Sequence, residues 1–242
     1  MIRVGISGGY GRMGTMIAGA VDAAPDLEVG GRYDPKHGGH DVLAGCAVIV
    51  EVTRPDVVMD NLAEWRRMGV HAVVGTSGFD AARLERVAEL WEGATSNCLI
   101  VPNFSIGAVL LMRFAELAAP HFPMAEVIEY HHADKPDAPS GTALATARLI
   151  AGARSGATAS PSKELVDGAL GADVQGVRVH SVRMAGLIAD QDVIFGEPGQ
   201  TLTVRHHTQT LQAFAPGVLV ALRGVGDLAD RLTVGLEPLL GI

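Results

Sequence analysis

"IRVGISGGYGRMG", residues 2–14, sets a β-branched run, Ile2 to Ser7, directly against Gly8, Gly11 and Gly14 at the opening of a helical pattern. The run reads as a strand and the following segment as a helix, so the G-x-x-G-x-x-G spacing falls on a strand-to-helix turn. Glycine at such a turn permits tight reversal and close backbone approach. The first turn of the helix then offers N–H groups without intrahelical partners and the positive end of its dipole, which suits a pyrophosphate. Asp34 follows twenty positions after Gly14, at the end of the next strand-like run "LEVGGRY", where a carboxylate can accept from ribose hydroxyls. These features together predict a dinucleotide site. Asp34 favours a free 2′-hydroxyl and hence NADH; Arg12, Arg32 and Lys36 lie close in sequence and can neutralise a 2′-phosphate, which leaves NADPH open.

The rhythm continues outward from this turn. "AVIVEVT", "HAVVGT" and "CLIVPN" alternate with helical patterns in "DVVMDNLAEWRRMG" and "DAARLERVAELWEG". Parallel neighbours need crossover connections, usually helical, so the first hundred or so residues predict a doubly wound parallel sheet. After the amphipathic "GAVLLMRFAELAAPHF" the pattern changes to the strand-like runs "AEVIEYHH", "GVRVHSVRM", "DVIFGE" and "QTLTVRHH", with one helix at "GTALATARLIAGA". The expected fold class is α/β: an N-terminal Rossmann-type parallel sheet followed by a second, α+β domain on a mixed, partly antiparallel sheet. The stretch from Ala151 to Gly176 reads as a loop between elements.

Composition bounds the function. With 242 residues, 48% of them hydrophobic, the chain can bury one large core or two smaller ones. A formal net charge of −8 without a basic cluster disfavours nucleic acid. Cys46 and Cys98 are far apart in no C-x-x-C arrangement, so neither a disulfide framework nor a thiolate metal site is expected, and a reducing cytoplasm fits. The start "MIRVGISGG" shows no export signal, and the most apolar segment is interrupted by Asn97, Pro102, Asn103 and Ser105, short of the ~18 apolar residues of a membrane span.

Two further strand ends carry small polar residues, "VVGTSG" with Gly75, Thr76, Ser77 and Gly78, and "VPNFSIG" with Asn103 and Phe104. Ligands of open α/β sheets sit beyond the carboxyl ends of strands, so both loops are expected to border the nicotinamide. In "EYHHADKPDAPSGTA", residues 129–143, alternation puts His131 on the face of Val127 and Glu129, and His132 on that of Ile128 and Tyr130. Adjacent strand residues diverge and H-E-x-x-H is absent, so no metal site is expected. Instead, Ser140 or Thr142 can cap the helix that follows, leaving N–H groups to receive a carboxylate, with His132 and Lys135 as added donors. His131, and Lys135 if other cations crowd it, can deliver a proton after hydride arrives.

The stretches "GGYGRMG", "GTSGF", "PNFSIGAV", "EYHHADKPDAPSGTA", "VHSVRMAGL" and "PGVLVAL" follow one another as in the dihydrodipicolinate reductase family, which the whole chain resembles. The resemblance implies a dinucleotide-binding domain over 1–104, completed by 216–242, and a substrate-binding and oligomerisation domain over 105–215 that builds a homotetramer. It implies reduction by NADH or NADPH of a small cyclic dicarboxylic imine, 4-hydroxy-tetrahydrodipicolinate, to tetrahydrodipicolinate in lysine and diaminopimelate biosynthesis. His131 would be proton donor and acceptor, and Lys135 a proton donor. His132, Ser140, Gly141 and Thr142 would hold substrate carboxylates. Cofactor contacts would come from Gly8, Gly9, Tyr10, Gly11, Arg12, Met13, Asp34, Gly75, Thr76, Ser77, Val101, Pro102, Asn103 and Phe104. Three positions depart from the family's usual pattern: Val52 replaces an aromatic residue, and Leu170 and Leu211 replace arginines. Two other readings stay open, a relative that reduces another cyclic imine acid and a dinucleotide-sensing protein without turnover.

Overall fold

In the computed structural model, which describes residues 1–154, 156 and 162–242, the opening strand-turn-helix starts a βα alternation. In chain order the elements are β1 (Ile2–Ser7), α1 (Arg12–Asp22), β2 (Leu27–Tyr33), β3 (Val48–Glu51), α2 (Val58–Met68), β4 (His71–Val74), α3 (Ala81–Trp91) and β5 (Cys98–Ile100). Then come α4 (Ile106–Ala118), β6 (Met124–His131), α5 (Gly141–Ala153), β7 (Ala172–Val174), β8 (Val177–Arg183), β9 (Ala189–Glu197) and β10 (Gln200–His206). The chain finishes with α6 (Ala215–Gly224), β11 (Leu232–Val234) and α7 (Glu237–Leu240). It divides into two units, Met1–Ile106 with Leu211–Ile242, and Gly107–Thr210.

The first unit holds a six-stranded sheet in the order β11-β5-β4-β3-β1-β2, all of whose pairings are parallel. A parallel sheet covered on both faces buries every side chain of its central strands, which is why Val48, Ile49, Val50 and Glu51 are all inaccessible. Trp65 of α2 and Trp91 of α3, both fully buried, fill one side of this core. The C-terminal segment returns to the same sheet with a strand as well as helices. Asn97 holds it there: its amide nitrogen donates to the carbonyls of Val225 (2.9 Å) and Leu228 (3.0 Å), and its amide oxygen accepts from Arg231 (2.8 Å). A residue that interrupts an apolar run in the sequence is thus a clasp in the fold.

The second unit is a five-stranded mixed sheet, β10-β9-β6-β8-β7, in which β6 and β8 pair in parallel and the remaining pairs are antiparallel. Helix α5 packs on β6 and β8, and the core between them contains Ile150, Val127, Val179, Val193 and Phe195. The α+β expectation matches this layout. One expectation does not survive: the segment from Ala151 to Gly176 is not a loop throughout. Ala151 to Ala153 complete α5, and Ala172–Val174 pair antiparallel with β8 as an edge strand too short to register as a periodic run. Residues 155 and 157–161 of that segment lie outside the described residues.

Candidate active site

In the first unit, the turn after β1 is shaped by steric necessity at some glycines and by openness at another. Gly8 has a positive φ of 81°, and a Cβ there would lie 2.6 Å from the carbonyl oxygen of Val52. A Cβ on Gly14 would strike the carbonyl oxygen of Gly8 and sit 2.6 Å from Cα of Gly9. Gly11 differs: it has an ordinary φ of −75°, is exposed, and a Cβ there would meet nothing nearer than 3.4 Å. Packing therefore requires glycine at 8 and 14, whereas Gly11 leaves clear the N-cap of α1, which no side chain caps.

Gly8 and Gly11 open onto a groove of about 580 Å³, also lined by Tyr33, Asp34, Lys36 and Thr53. That volume lies within the range of small-molecule sites. Asp34, just beyond β2, accepts from the backbone N–H of Lys36 (2.9 Å) and lies 3.6 Å from Nδ1 of His37. Arg32 is committed elsewhere. Its Nε donates to the carbonyl of Gly9 (2.8 Å), its Nη2 donates to the same carbonyl and to Thr15 Oγ1, and its guanidinium lies 4.7 Å above the Tyr10 ring. The Tyr10 ring in turn stacks on His37 at 4.0 Å. Of the three cations near Asp34 in sequence, Arg32 braces the glycine turn, while Arg12 and Lys36 are exposed.

At the other strand ends, Thr76 donates to the carbonyl of Glu51 (3.3 Å) and is buried. Val101 and Phe104 also turn inward, and the Phe104 ring fills the space a Cβ on Gly75 would take. At these two positions only backbone groups remain to meet a ligand. The β3 end holds a buried carboxylate that sequence reading left without a role: Glu51 accepts from Nε1 of Trp65 (3.1 Å), Nδ2 of Asn61 (3.2 Å), and both the N–H and hydroxyl of Thr53.

In the second unit, β6 ends in the histidine pair. Alternation operates as expected, and Glu129 and His131 share a face: Nδ1 of His131 lies 2.5 Å from Oε2 of Glu129. Glu129 is fully buried and accepts three further hydrogen bonds, two from Arg183 and one from Ser140. Arg183 at the end of β8, in register with His131, donates through Nη1 to Oε2 (2.8 Å) and through Nη2 to Oε1 (2.7 Å). The backbone N–H of Ser140 donates to Oε1 (3.2 Å). Burial alone would raise the Glu129 pKa, but the hydrogen bonds from His131, Arg183 and Ser181 outweigh it and hold the carboxyl at about 2.

Ser140 proves to be the N-cap of α5, its Oγ accepting from the N–H of Ala143 (3.2 Å), so of the two candidate caps the serine is the one used. Gly141 opens the helix and is exposed. The Lys135 ammonium is 2.7 Å from Oδ1 of Asp137, whose backbone carbonyl accepts from Arg183 (2.7 Å). The hydrogen bond from Lys135 leads the causes that lower the Asp137 carboxyl below its ordinary range. His131, His132, Lys135, Ser140, Gly141 and Thr142 therefore all lie on the β6 end, the loop and the start of α5. Sequence reading passed over Arg183 and gave Glu129 no task. The available signal was physical: a carboxylate on the buried face of a strand needs a partner, and the parallel strand β8 ends in an arginine.

Comparison with known proteins completes the description. A family model described as "Dihydrodipicolinate reductase, N-terminus" matches residues 2–104, and one described as "Dihydrodipicolinate reductase, C-terminus" matches residues 107–240. The chain is 52% identical over 248 residues to the 4-hydroxy-tetrahydrodipicolinate reductase of Nocardia farcinica, covering 100% of this chain and 99% of that protein. It is 50% identical over 247 residues to the enzyme of the same name from Thermobifida fusca, with both chains covered completely. Among solved structures, a dipicolinate-bound dihydrodipicolinate reductase from Paenisporosarcina sp. TG-14 superposes with a TM-score of 0.86 at 36% identity, covering 98% of this chain and 99% of that one. A probable dehydrogenase from Thermotoga maritima, at 11% identity and a TM-score of 0.65 over 98% of this chain and 92% of that one, shares the fold.

Proposed function

The chain belongs to the dihydrodipicolinate reductase family, and from that membership and the site's chemistry we infer that it is a 4-hydroxy-tetrahydrodipicolinate reductase of lysine and diaminopimelate biosynthesis, an NAD(P)H-dependent oxidoreductase. The observation that carries the reading is the buried Glu129 carboxylate against Nδ1 of His131, with Lys135 on the adjoining loop. A protein that only senses a dinucleotide has no use for an oriented proton donor.

The fit of a dinucleotide rests on the uncapped α1 N-terminus, the open Gly11 and the groove reaching Asp34. Gly8 to Met13, Asp34, Gly75 to Ser77 and the Val101 to Phe104 backbone would hold it, with 1–104 and 216–242 forming the binding domain. When bound, the reduced nicotinamide supplies a hydride. We assign the preference to NADH, because Asp34 offers the groove an acceptor and Arg32 is engaged with Gly9 and Tyr10.

In the second unit, the α5 N-terminus at Gly141 and Thr142, with His132, would receive the carboxylates of the cyclic substrate. Ser140 serves this by setting the helix start, its Oγ accepting from the N–H of Ala143. With Nδ1 facing Glu129, the Nε2 of His131 is the nitrogen left to pass a proton, and Lys135 supplies a second proton source. Overall one hydride and one proton are consumed, and the 4-hydroxyl leaves as water. The exposed edge strand β10 supports a homotetramer built through residues 105–215, and the buried, unbridged Cys46 and Cys98 support a cytoplasmic setting.

The test is a coupled assay in which the condensation product of pyruvate and aspartate semialdehyde is supplied with NADH and NADPH in parallel. Oxidation of cofactor that depends on this substrate is expected, faster with NADH. A saturable cofactor complex without turnover would overturn the reading in favour of a sensing protein.

A further inference from the structure

Glu129 and Arg183 do more geometric work than packing requires. Glu129 sits on β6, fully buried, and its two oxygens receive Nδ1 of His131, both terminal nitrogens of Arg183 and the N–H of Ser140. Arg183 sits on β8, and the Nη2 that reaches Glu129 also donates to the backbone carbonyl of Asp137 (2.7 Å), within the loop that carries Lys135. Its Nη1 donates as well to the carbonyl of its own neighbour, Val182 (2.8 Å), which fixes the guanidinium plane. Three separate pieces of the site, the imidazole, the lysine loop and the first residue of the α5 cap, therefore converge on one ion pair.

We propose that Glu129 and Arg183 are the positioning pair of the proton donor. Glu129 holds the His131 ring with the proton on Nδ1 and Nε2 directed away from the carboxylate, while Arg183 holds Glu129 and anchors the Lys135 loop to β8. The proposal rests on the reading of His131 as proton donor given above and extends it to two residues that act through it.

The chemistry follows from the pair's charge. A neutral imidazole held by a carboxylate at Nδ1 presents its Nε2 lone pair, and a protonated one presents an Nε2 proton and has its charge stabilised by the anion behind it. The same ring can thus give a proton and be reloaded without rotating. The polar groups tied to the pair are Arg183 and Ser181 from β8, Ser140 at the start of α5, and the Asp137 carbonyl in the loop, where the Asp137 carboxylate also meets Lys135; Gln191 lies opposite Glu129 on β9. Arg183 is the cation whose removal leaves the carboxylate unsupported, and Glu129 the anion whose removal leaves the imidazolium unsupported.

The experiment uses the full-length protein in three arms. Nitrogen-15 NMR of the histidine rings in the wild-type protein should show His131, when neutral, protonated on Nδ1; protonation on Nε2 would overturn the proposal without any variant. In steady-state assays, Glu129→Gln should lower kcat at least tenfold with the KM for cofactor within twofold. The high-pH limb of its rate profile should also begin at lower pH than in wild type, because the proton is held less firmly without the anion. Arg183→Lys, which keeps the charge but loses the bidentate contact and the Asp137 tie, should lose kcat with Lys135 and His131 unchanged. A uniform loss of folded protein with an unmoved pH profile in the survivors would make the pair merely structural and overturn the proposal. If wild-type protein shows no turnover, the reductase reading fails, and the NMR arm alone decides whether the pair sets the tautomer.

Discussion

The indole N–H of Trp65 donates to the carboxylate of Glu51 across 3.1 Å, with both side chains at zero exposure. A carboxylate in the middle of an apolar sheet is tolerated because Asn61 and Thr53 complete its partners. It anchors the turn after β3, whose Val52 carbonyl lies against Gly8. Replacing Glu51 by Ala leaves the Trp65 and Asn61 donors buried without an acceptor, which should destabilise the first unit by roughly 3 kcal/mol. Trp65→His-sized changes confound packing, so Asn61→Ala is the milder control, at about 1 kcal/mol. Urea denaturation midpoints check both; equal, small losses would show that the network is not tight.

Two glycines of one helix should respond oppositely to the same added methyl group. Gly14→Ala forces its Cβ into Gly8 and Gly9 and should weaken dinucleotide binding at least tenfold, read by calorimetric titration with NADH. At Gly19, exposed and with nothing within 4 Å of a Cβ, alanine should raise stability by about 0.5–1 kcal/mol with affinity unchanged.

Lys135 pairs with Asp137 on the loop between β6 and α5, outside the apolar core of the second unit. Lys135→Ala should therefore leave the thermal midpoint within a few degrees of wild type and lower kcat by ~10²–10⁴-fold, the usual weight of a general acid. Cofactor affinity should not move. Loss of both in proportion would make the lysine a structural residue.

Cofactor discrimination should reside in Asp34. Asp34→Gly removes both the ribose acceptor and the negative charge that opposes a 2′-phosphate, and the ratio of kcat/KM for NADH to that for NADPH should fall about tenfold or more, equivalent to ~1.4 kcal/mol. Comparing the two cofactors under one set of conditions tests this. An unchanged ratio would place the discrimination in Arg12 or Lys36.

Acid should unpick the second unit through Glu129. Its folded-state pKa, about 2, lies below the ordinary 4.5, so its contribution is full above pH 4.5 and is lost as pH falls toward 2. Arg183→Met strands the carboxylate and should cost roughly 3–5 kcal/mol at pH 7, with the gap to wild type narrowing at pH 3 where the group begins to protonate without its partner. Denaturant titrations at the two pH values decide; a gap independent of pH would mean that packing, not charge, carries the effect.

Much of this site could be read along the chain because its parts are local. The glycine turn, the acid after β2 and the loop from His131 to Thr142 each occupy a short window, and strand alternation alone put Glu129 beside His131. The exact matches at Ile2–Ser7, Leu27–Tyr33 and Gly141–Ala153 have the same origin, since each is a periodic run bounded by its own turn or cap. Three-residue strands such as Ala172–Val174 and Leu232–Val234 are too short to show a period and exist because a neighbouring strand offers them hydrogen bonds.

By itself, then, the amino-acid order determined the fold class, the glycine turn after β1 and the histidine-lysine loop after β6, all properties of contiguous residues. Tertiary structure alone decided which partners those residues keep. Arg183 is 54 positions from Glu129, Asn97 is 128 from Val225, and Arg32 is 23 from Gly9. Such contacts depend on strand register and crossover, which bring distant backbone into line, and buried charge then selects among the groups that arrive.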